Sequence, residues 1–275
     1  MSPRISQHVS PRPQFTLKQI ARSEADARVL VAASRLEKRF SLQFDVFTEF
    51  TYDMLAQLHA SGSDVDSDVS EILDRSPAGI DHWKKVLGVL ANAKTLTPGD
   101  RALYFAALLS IYQQLSYHAV ESRGDVKTLF VGIEREGRIL AESLGWLPPG
   151  HSLAPHAKRI RNDSGLLVGT CGVDVHGDFD ECVLVDGAIA SGATLIGVME
   201  SIRQRTDCDL YRVLSVHGTI EALRALVRYS SAKGLKLLVD VGYTTSGLNR
   251  DFYAVEEDGA TKVVGDLGDI IAPLW

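Results

Sequence analysis

CVLVDGAIASGAT, Cys182 to Thr194, sets an apolar run against an acid and a string of small residues. The run Cys182 to Val185 reads as a buried strand of an open parallel α/β sheet, whose carboxyl end is where such folds place their ligands. Asp186 stands at that edge. From Ala188 to Thr194 the side chains are so small that successive backbone N–H groups can close around a phosphate, and Ser191 and Thr194 add hydroxyl donors. The helix that follows carries Leu195, Val198, Met199 and Ile202 on one face and points its positive dipole end at the same spot. The same residues also read as a plain βαβ connection in which Asp186 caps the turn. No Lys follows Gly192, which excludes a Walker loop, and there is no G-x-G-x-x-G dinucleotide fingerprint.

Working outward, strands and helices alternate from Val126 onward. The expected elements are Lys127 to Ile133, Arg138 to Leu144, Glu181 to Val185, Thr194 to Arg205, Leu210 to Val216, Ile220 to Tyr229 and Leu235 to Val241. This alternation predicts a parallel sheet covered on both faces, with right-handed crossovers. Before residue 122 the periodicity is helical. Val29, Ala33, Leu36 and Phe40 form a stripe that Phe44, Phe47, Thr51, Met54 and Leu58 continue, with Ser23 and Asp26 capping its start. Ser61 to Ser70, SGSDVDSDVS, reads as an acidic linker. A second helix is expected over His82 to Ala93, and Thr97, Pro98 and Asp100 signal the start of a third that runs to Val120. The expected division is a flexible lead over 1–22, a helical region over 23–122 and an α/β domain over 123–275.

At 275 residues and 45% hydrophobic content the chain can bury a full core. A formal net charge of −6 argues against a general nucleic-acid surface and against an anionic membrane. Cys171, Cys182 and Cys208 lie in or beside apparent core segments without CxxC spacing, so a reduced, cytoplasmic setting is expected. No window has the apolar length of a membrane span, and the first residues lack the apolar core of a signal peptide. The eight histidines show no zinc-ligand spacing. His217, at the end of LYRVLSV, either touches a ligand at the sheet edge or packs into the core.

Four segments, taken in order, carry a family resemblance. They are Ile133, Arg135 and Gly137 in LFVGIEREG; Arg161, Asn162 and Asp163; DGAIASGAT; and Gly247, Leu248, Asn249 and Tyr253 followed by Gly265, Asp266, Gly268 and Asp269. Over Lys127 to Asp269 the chain resembles the type I phosphoribosyltransferases, and among them the uracil phosphoribosyltransferases. The resemblance implies a type I phosphoribosyltransferase-like α/β fold, a parallel sheet flanked by helices, here with a helical N-terminal extension. It implies transfer of 5-phosphoribosyl from its 1-diphosphate (PRPP) to a uracil-like base in nucleotide salvage, with release of pyrophosphate, and a homodimer.

It also implies residue roles. Asp186 holds the ribose hydroxyls and favours the oxocarbenium-like centre, and the donor is gripped by Asp186, Gly187, Ala188, Ala190, Ser191, Gly192, Ala193 and Thr194. Arg135 and Arg161 cradle pyrophosphate, for which a guanidinium fork is suited. Tyr253, Ala254, Gly265 and Asp266 line the base site. Mg²⁺ is expected to bridge donor oxygens, oriented through water by Asp266 and Asp269. The bland readings are an ion-pair cluster around Arg135 with Glu134 and Glu136, a wet basic face of Lys158, Arg159 and Arg161, and turn-shaping roles for Asp266 and Asp269.

On the base side the chain departs from that family. The loop AVEEDGATKVV is longer, with a turn signal at Asp258 and Gly259 that suggests a hairpin. Thr245 stands where an acid is usual, and SGLLVGT replaces a Thr-Leu-x-Pro stretch. Donor binding is therefore better preserved than base binding. Two alternatives follow, a biosynthetic relative with a different small acceptor and a non-catalytic donor sensor.

Overall fold

The computed structural model describes residues 44–50, 52–77, 79–120, 126–133, 136–143, 152–153, 156–162, 165–171, 175, 177–245, 247–249, 252–256, 258, 261 and 270. For 44–49, 52, 118–120, 142–143, 152–153, 156–162 and 165–171 only the main chain is described. The lead over 1–22, the helix expected over 23–43, and Arg135, Asp163, Gly265, Asp266, Gly268 and Asp269 lie outside these residues.

In chain order the elements are β1 (Phe44–Phe50), α1 (Tyr52–His59), α2 (Ser63–Asp74), α3 (Asp81–Ala91), α4 (Pro98–Val120), β2 (Thr128–Gly132), α5 (Glu136–Ser143), β3 (Ser152–Leu153), β4 (His156–Asn162), β5 (Gly165–Cys171) and β6 (Glu181–Ile189). Then come α6 (Ala193–Arg203), β7 (Leu210–Thr219), α7 (Ile220–Lys233), β8 (Lys236–Thr245), β9 (Gly247–Leu248) and β10 (Ala254–Val255). The main sheet has the order β3-β2-β6-β7-β8, and every neighbouring pair in it is parallel. Parallel strands need a crossover between them, and α6 and α7 supply the two that link β6, β7 and β8.

Side chains on β6 alternate between two cores because successive Cβ atoms point to opposite faces. Cys182 and Leu184 join α1, α2, α6 and α7 on one face, whereas Val183 and Val185 join α3, α4 and α5 on the other. All four are at most 1% exposed, which explains why this strand reads as a continuous apolar run. The helices before β2 thus cover both faces of the sheet. Helix α4 begins where Thr97, Pro98 and Asp100 place its start. The Thr97 hydroxyl accepts from the Asp100 N–H (3.1 Å), and the Asp100 carboxylate accepts from the Thr97 N–H (2.8 Å).

Three segments differ from the sequence reading. Phe44 to Phe50 is a strand, not the continuation of a helix. It pairs antiparallel with β5, which in turn pairs with β4, forming a separate three-stranded sheet in the order β1-β5-β4 against α6. The acidic segment after Ser61 is not a linker but helix α2. Asp64 and Asp66 sit in its first turn, where the helix dipole favours acids, Val69 and Ile72 are buried, and Asp66 pairs with Arg224 of α7 at 2.7 Å. Strand β6 does not stop at Val185 but runs on to Ile189, since small side chains do not interrupt the main-chain ladder to β7.

Candidate active site

The site forms where the carboxyl ends of β6, β7 and β8 meet the N-termini of α6 and α7. Asp186 pairs with Ser215 in the β6–β7 ladder, so it lies within the strand and four residues before its connection to α6. Asp186, Ala188 and Ala190 are half-buried, whereas Gly187 and Ile189 between them are buried. This period of two puts the Asp186 side chain on the more open side. Its Oδ1 accepts from the Gly187 N–H at 2.8 Å.

The connection proper is Ala190, Ser191 and Gly192. Its three carbonyls are all taken by the protein. The Thr219 hydroxyl donates to the Ala190 carbonyl, His59 Nε2 lies 3.0 Å from the Ser191 carbonyl, and the Ile196 N–H donates to the Gly192 carbonyl at 3.0 Å. In a planar trans peptide the C=O and the next N–H point oppositely, so each engaged carbonyl fixes the direction of the N–H that follows it. Gly192 caps α6 in the left-handed conformation, φ 79°, which a side chain would strain, and a Cβ there would lie 3.2 Å from the Ala222 carbonyl. Ser191 is 3% exposed, and its hydroxyl lies 3.4 Å from the Ala193 N–H; Thr194 is half-buried at the start of α6.

Thr219 and His59 were not singled out by the sequence reading. Thr219 left a local signal, an apolar strand ending in Thr-Ile-Glu-Ala. It caps α7, its hydroxyl accepting from the Ala222 N–H at 3.0 Å. His59 left none, because its partner lies 132 residues away.

A second closely packed turn supports Asp186. The Ile133 N–H donates to the Val185 carbonyl at 2.9 Å, and Gly137, in the first turn of α5, crosses the backbone of Val185 and Asp186. The Ile133 and Gly137 positions of the motif therefore abut Asp186. The Arg161 main chain lies on β4, paired with Leu166 of β5.

Beside the connection from Ala190 to Gly192 a cleft of about 600 Å³ opens, lined by Lys84 from α3, Ile220 at the start of α7, Thr244 and Thr245 at the end of β8, and Glu256, Asp258 and Thr261. It adjoins the loop directly. Thr219, which holds Ala190, is next in sequence to Ile220 and opposite Thr245 in the β7–β8 ladder. The Lys84 ammonium lies 5.6 Å from the centroid of the Tyr243 ring and makes no ion pair among the described residues. The expected turn at Asp258 is present. The Thr261 N–H donates to the Asp258 carboxylate at 2.8 Å, and the Glu256 N–H donates to the Thr261 carbonyl at 2.8 Å.

Asn249 and Tyr253 are joined twice, the Asn249 N–H donating to the Tyr253 carbonyl at 3.0 Å and the Tyr253 N–H to the side-chain Oδ1 of Asn249 at 3.0 Å, while β9 and β10 pair antiparallel on either side. Tyr253 is 39% exposed and Ala254 is buried. The Asn-to-Tyr spacing thus closes a hairpin leading to Glu256 at the cleft.

His217 packs into the core. It is fully buried, with Nε2 2.9 Å from the Thr245 hydroxyl, and burial together with the nearby Lys84 charge lowers its pKa from 6.5 to about 3. The unfolded chain therefore takes up a proton near pH 6.5 that the folded chain refuses until about 3. With more protons bound in the unfolded state, this group's contribution to stability is present above pH 6.5 and lost as the pH falls toward 3. Thermal unfolding followed from pH 7 downward is expected to show a shallower loss in His217→Gln than in the unsubstituted chain. Equal slopes would remove His217 as a source of acid sensitivity.

No protein-family model and no curated protein matches the chain. Among solved structures, the AQ2163 protein from Aquifex aeolicus superposes with a TM-score of 0.52 at 16% identity, over 71% of this chain and 95% of that one. The two share a fold. Lower similarity extends to the adenine phosphoribosyl transferase from Trypanosoma brucei solved with AMP, pyrophosphate and ribose-5-phosphate, with a TM-score of 0.40 and 11% identity over 60% of this chain and 82% of that one. The adenine phosphoribosyltransferase (APRTase) from Giardia lamblia, complexed with 9-deazaadenine, has a TM-score of 0.35 and 19% identity over 50% of this chain and 79% of that one. Among the described residues no helix is long and apolar enough to cross a membrane.

Proposed function

We propose that the chain is a phosphoribosyltransferase that moves a 5-phosphoribosyl group from PRPP to a uracil-like planar base. What carries this reading is the connection from Ala190 to Gly192, whose carbonyls are all engaged by the protein while α6 brings its N-terminus to the same point. Such a turn supplies N–H groups and a positive dipole to an anion, as a 5-phosphate requires. Asp186, four residues upstream on the open side of β6, is then in place for the ribose. The cleft next to the loop takes the acceptor.

In the reaction the bond between the anomeric carbon and the pyrophosphate oxygen breaks, the pyrophosphate leaves with the electron pair, and an acceptor nitrogen bonds to that carbon and loses its proton. Positive charge grows on the ribose ring, and the Asp186 carboxylate opposes it. Arg135 and Arg161 are assigned to the departing pyrophosphate. Mg²⁺ is held by one or two carboxylates together with substrate phosphates, and a half-exposed Asp186 beside the anion loop fits that demand without a cluster of protein ligands. Bound there, or through Asp266 and Asp269, the ion would neutralise donor oxygens.

The cleft suits an acceptor with polar edges, because threonine hydroxyls and Glu256 line it with one ammonium, that of Lys84. Replacing Lys84 by Met keeps the chain length and removes the charge. It is expected to raise the acceptor KM by about five- to tenfold with the donor KM unchanged; an unchanged acceptor KM would place the acceptor elsewhere.

Phosphorus NMR of the protein with PRPP, Mg²⁺ and a panel of bases tests the reading. Pyrophosphate formed with uracil supports it. Pyrophosphate only with adenine, hypoxanthine or another acceptor keeps the transferase and replaces the base, and donor binding without turnover makes the chain a sensor.

A further inference from the structure

We propose that His59 is a positioning residue for the donor loop, and that helix α1 is the seat on which this loop is held. The inference rests on the reading of Ala190 to Thr194 as the 5-phosphate cradle. His59 is the last residue of α1, and its Nε2 lies 3.0 Å from the Ser191 carbonyl. A carbonyl oxygen only accepts, so Nε2 carries the hydrogen and donates it. Engaging the Ser191 carbonyl fixes the peptide plane shared with Gly192, and with it the direction of the Gly192 N–H. Thr219 does the same for the Ser191 N–H through the Ala190 carbonyl. Two consecutive amides of the loop are thereby aimed by side chains from different elements.

For His59 to aim anything, its own helix must be fixed. Arg228 of α7 provides this at the C-terminal end of α1, where Nη1 donates to the carbonyls of Gln57 (3.1 Å), Leu58 (2.8 Å) and Ala60. One turn earlier on α7, Arg224 grips Asp66 of α2 at 2.7 Å. The carbonyls at a helix C-terminus lack partners within the helix, so a guanidinium there both satisfies them and locks the end. Leu55 of α1, 1% exposed, is packed in the same core as α6 and α7. The arrangement gives the helices before β2 a part in donor binding, although they lie far from the loop in sequence.

The test uses the full chain and compares His59→Ala with His59→Gln, whose side-chain amide nitrogen reaches nearly where Nε2 lies. Calorimetric titration with PRPP and Mg²⁺ gives the donor Kd, and pyrophosphate release gives kcat and both KM values. His59→Ala is expected to raise the donor Kd and KM by about five- to tenfold, one hydrogen bond's worth, with kcat within about twofold and the acceptor KM unchanged. His59→Gln is expected to restore most of the loss. A merely structural contact would lower the melting temperature and reduce all parameters together, with no rescue by Gln, and that result overturns the inference. So does donor affinity in His59→Ala equal to that of the unsubstituted chain. If the unsubstituted chain itself takes up no donor, the reading of the loop falls and this inference with it; the titration of that chain separates the two failures.

Discussion

Asp186→Asn is expected to lower kcat by about 100- to 1000-fold while shifting donor affinity by less than about tenfold. The substitution isolates charge from shape. An amide oxygen can still accept from the Gly187 N–H, as Oδ1 of Asp186 does at 2.8 Å, so the local backbone has no reason to move. What disappears is a negative charge at the end of a parallel strand whose neighbours, the starts of α6 and α7, are both positive dipole ends. In the ground state that charge acts in two opposed ways on a polyanionic donor, repelling its phosphates while attracting the Mg²⁺ that accompanies them, so the net change in affinity is small. Its value arises as the anomeric carbon becomes cationic, so removing it acts on the transition state far more than on binding. Rapid-quench measurement of pyrophosphate release with saturating donor gives the rate, and calorimetry gives the affinity. A variant that turns over at the unsubstituted rate would remove Asp186 from the chemistry.

The central half of the fold was legible because its signals are local. Strands β6 and β7 are buried along most of their length, and each ends near a small or polar residue that opens a helix, while β8 at the sheet edge still shows its apolar Leu237, Leu238, Val239 and Val241. The start of α4 was legible for the same reason, since its cap is made by Thr97 and Asp100 three residues apart. Strand β1 was not. Its Phe44, Phe47 and the following Thr51 and Met54 also satisfy a helical period, and what makes the segment a strand is β5, whose Leu166 to Cys171 lie more than 110 residues further on. The hairpin β4–β5 was missed likewise, since neither strand carries a long apolar run. Helix α2 was hidden by composition. Eight Asp, Ser and Gly residues between Ser61 and Ser70 suggest a linker until Arg224 and the buried Val69 and Ile72 are placed against it. In the candidate site, the connection from β6 to α6 was legible from its small residues. The groups that aim it or open beside it, His59, Thr219 and Lys84, lie on three other elements, and only Thr219 bears a local mark.

Gly137→Ala is expected to cost about 3 kcal/mol or more of stability, the largest effect of any single added methyl at the site. A Cβ on Gly137 would lie 2.0 Å from the Val185 carbonyl oxygen, 2.8 Å from its carbon and 3.1 Å from the Asp186 Cα. All three atoms belong to the backbone of the central strand, so no rotamer change relieves the contact. The first turn of α5 must instead lift from β6. The Ile133 N–H to Val185 carbonyl bond at 2.9 Å and the Arg138 N–H to Ile133 carbonyl bond at 3.1 Å oppose that movement. At this chain length such a loss lowers Tm by about 6–12 °C. The residual folded fraction should also bind donor poorly, because the displaced backbone is the one that carries Asp186. Gly99→Ala is the control. It sits in the first turn of α4, where a Cβ would meet the Thr97 hydroxyl at an ordinary 3.7 Å, and there the better helix propensity of Ala should leave Tm unchanged or raise it slightly. Calorimetric melting of both variants decides the matter: a Gly137→Ala chain that melts within about 2 °C of the unsubstituted one would mean that α5 does not press on the Val185–Asp186 backbone.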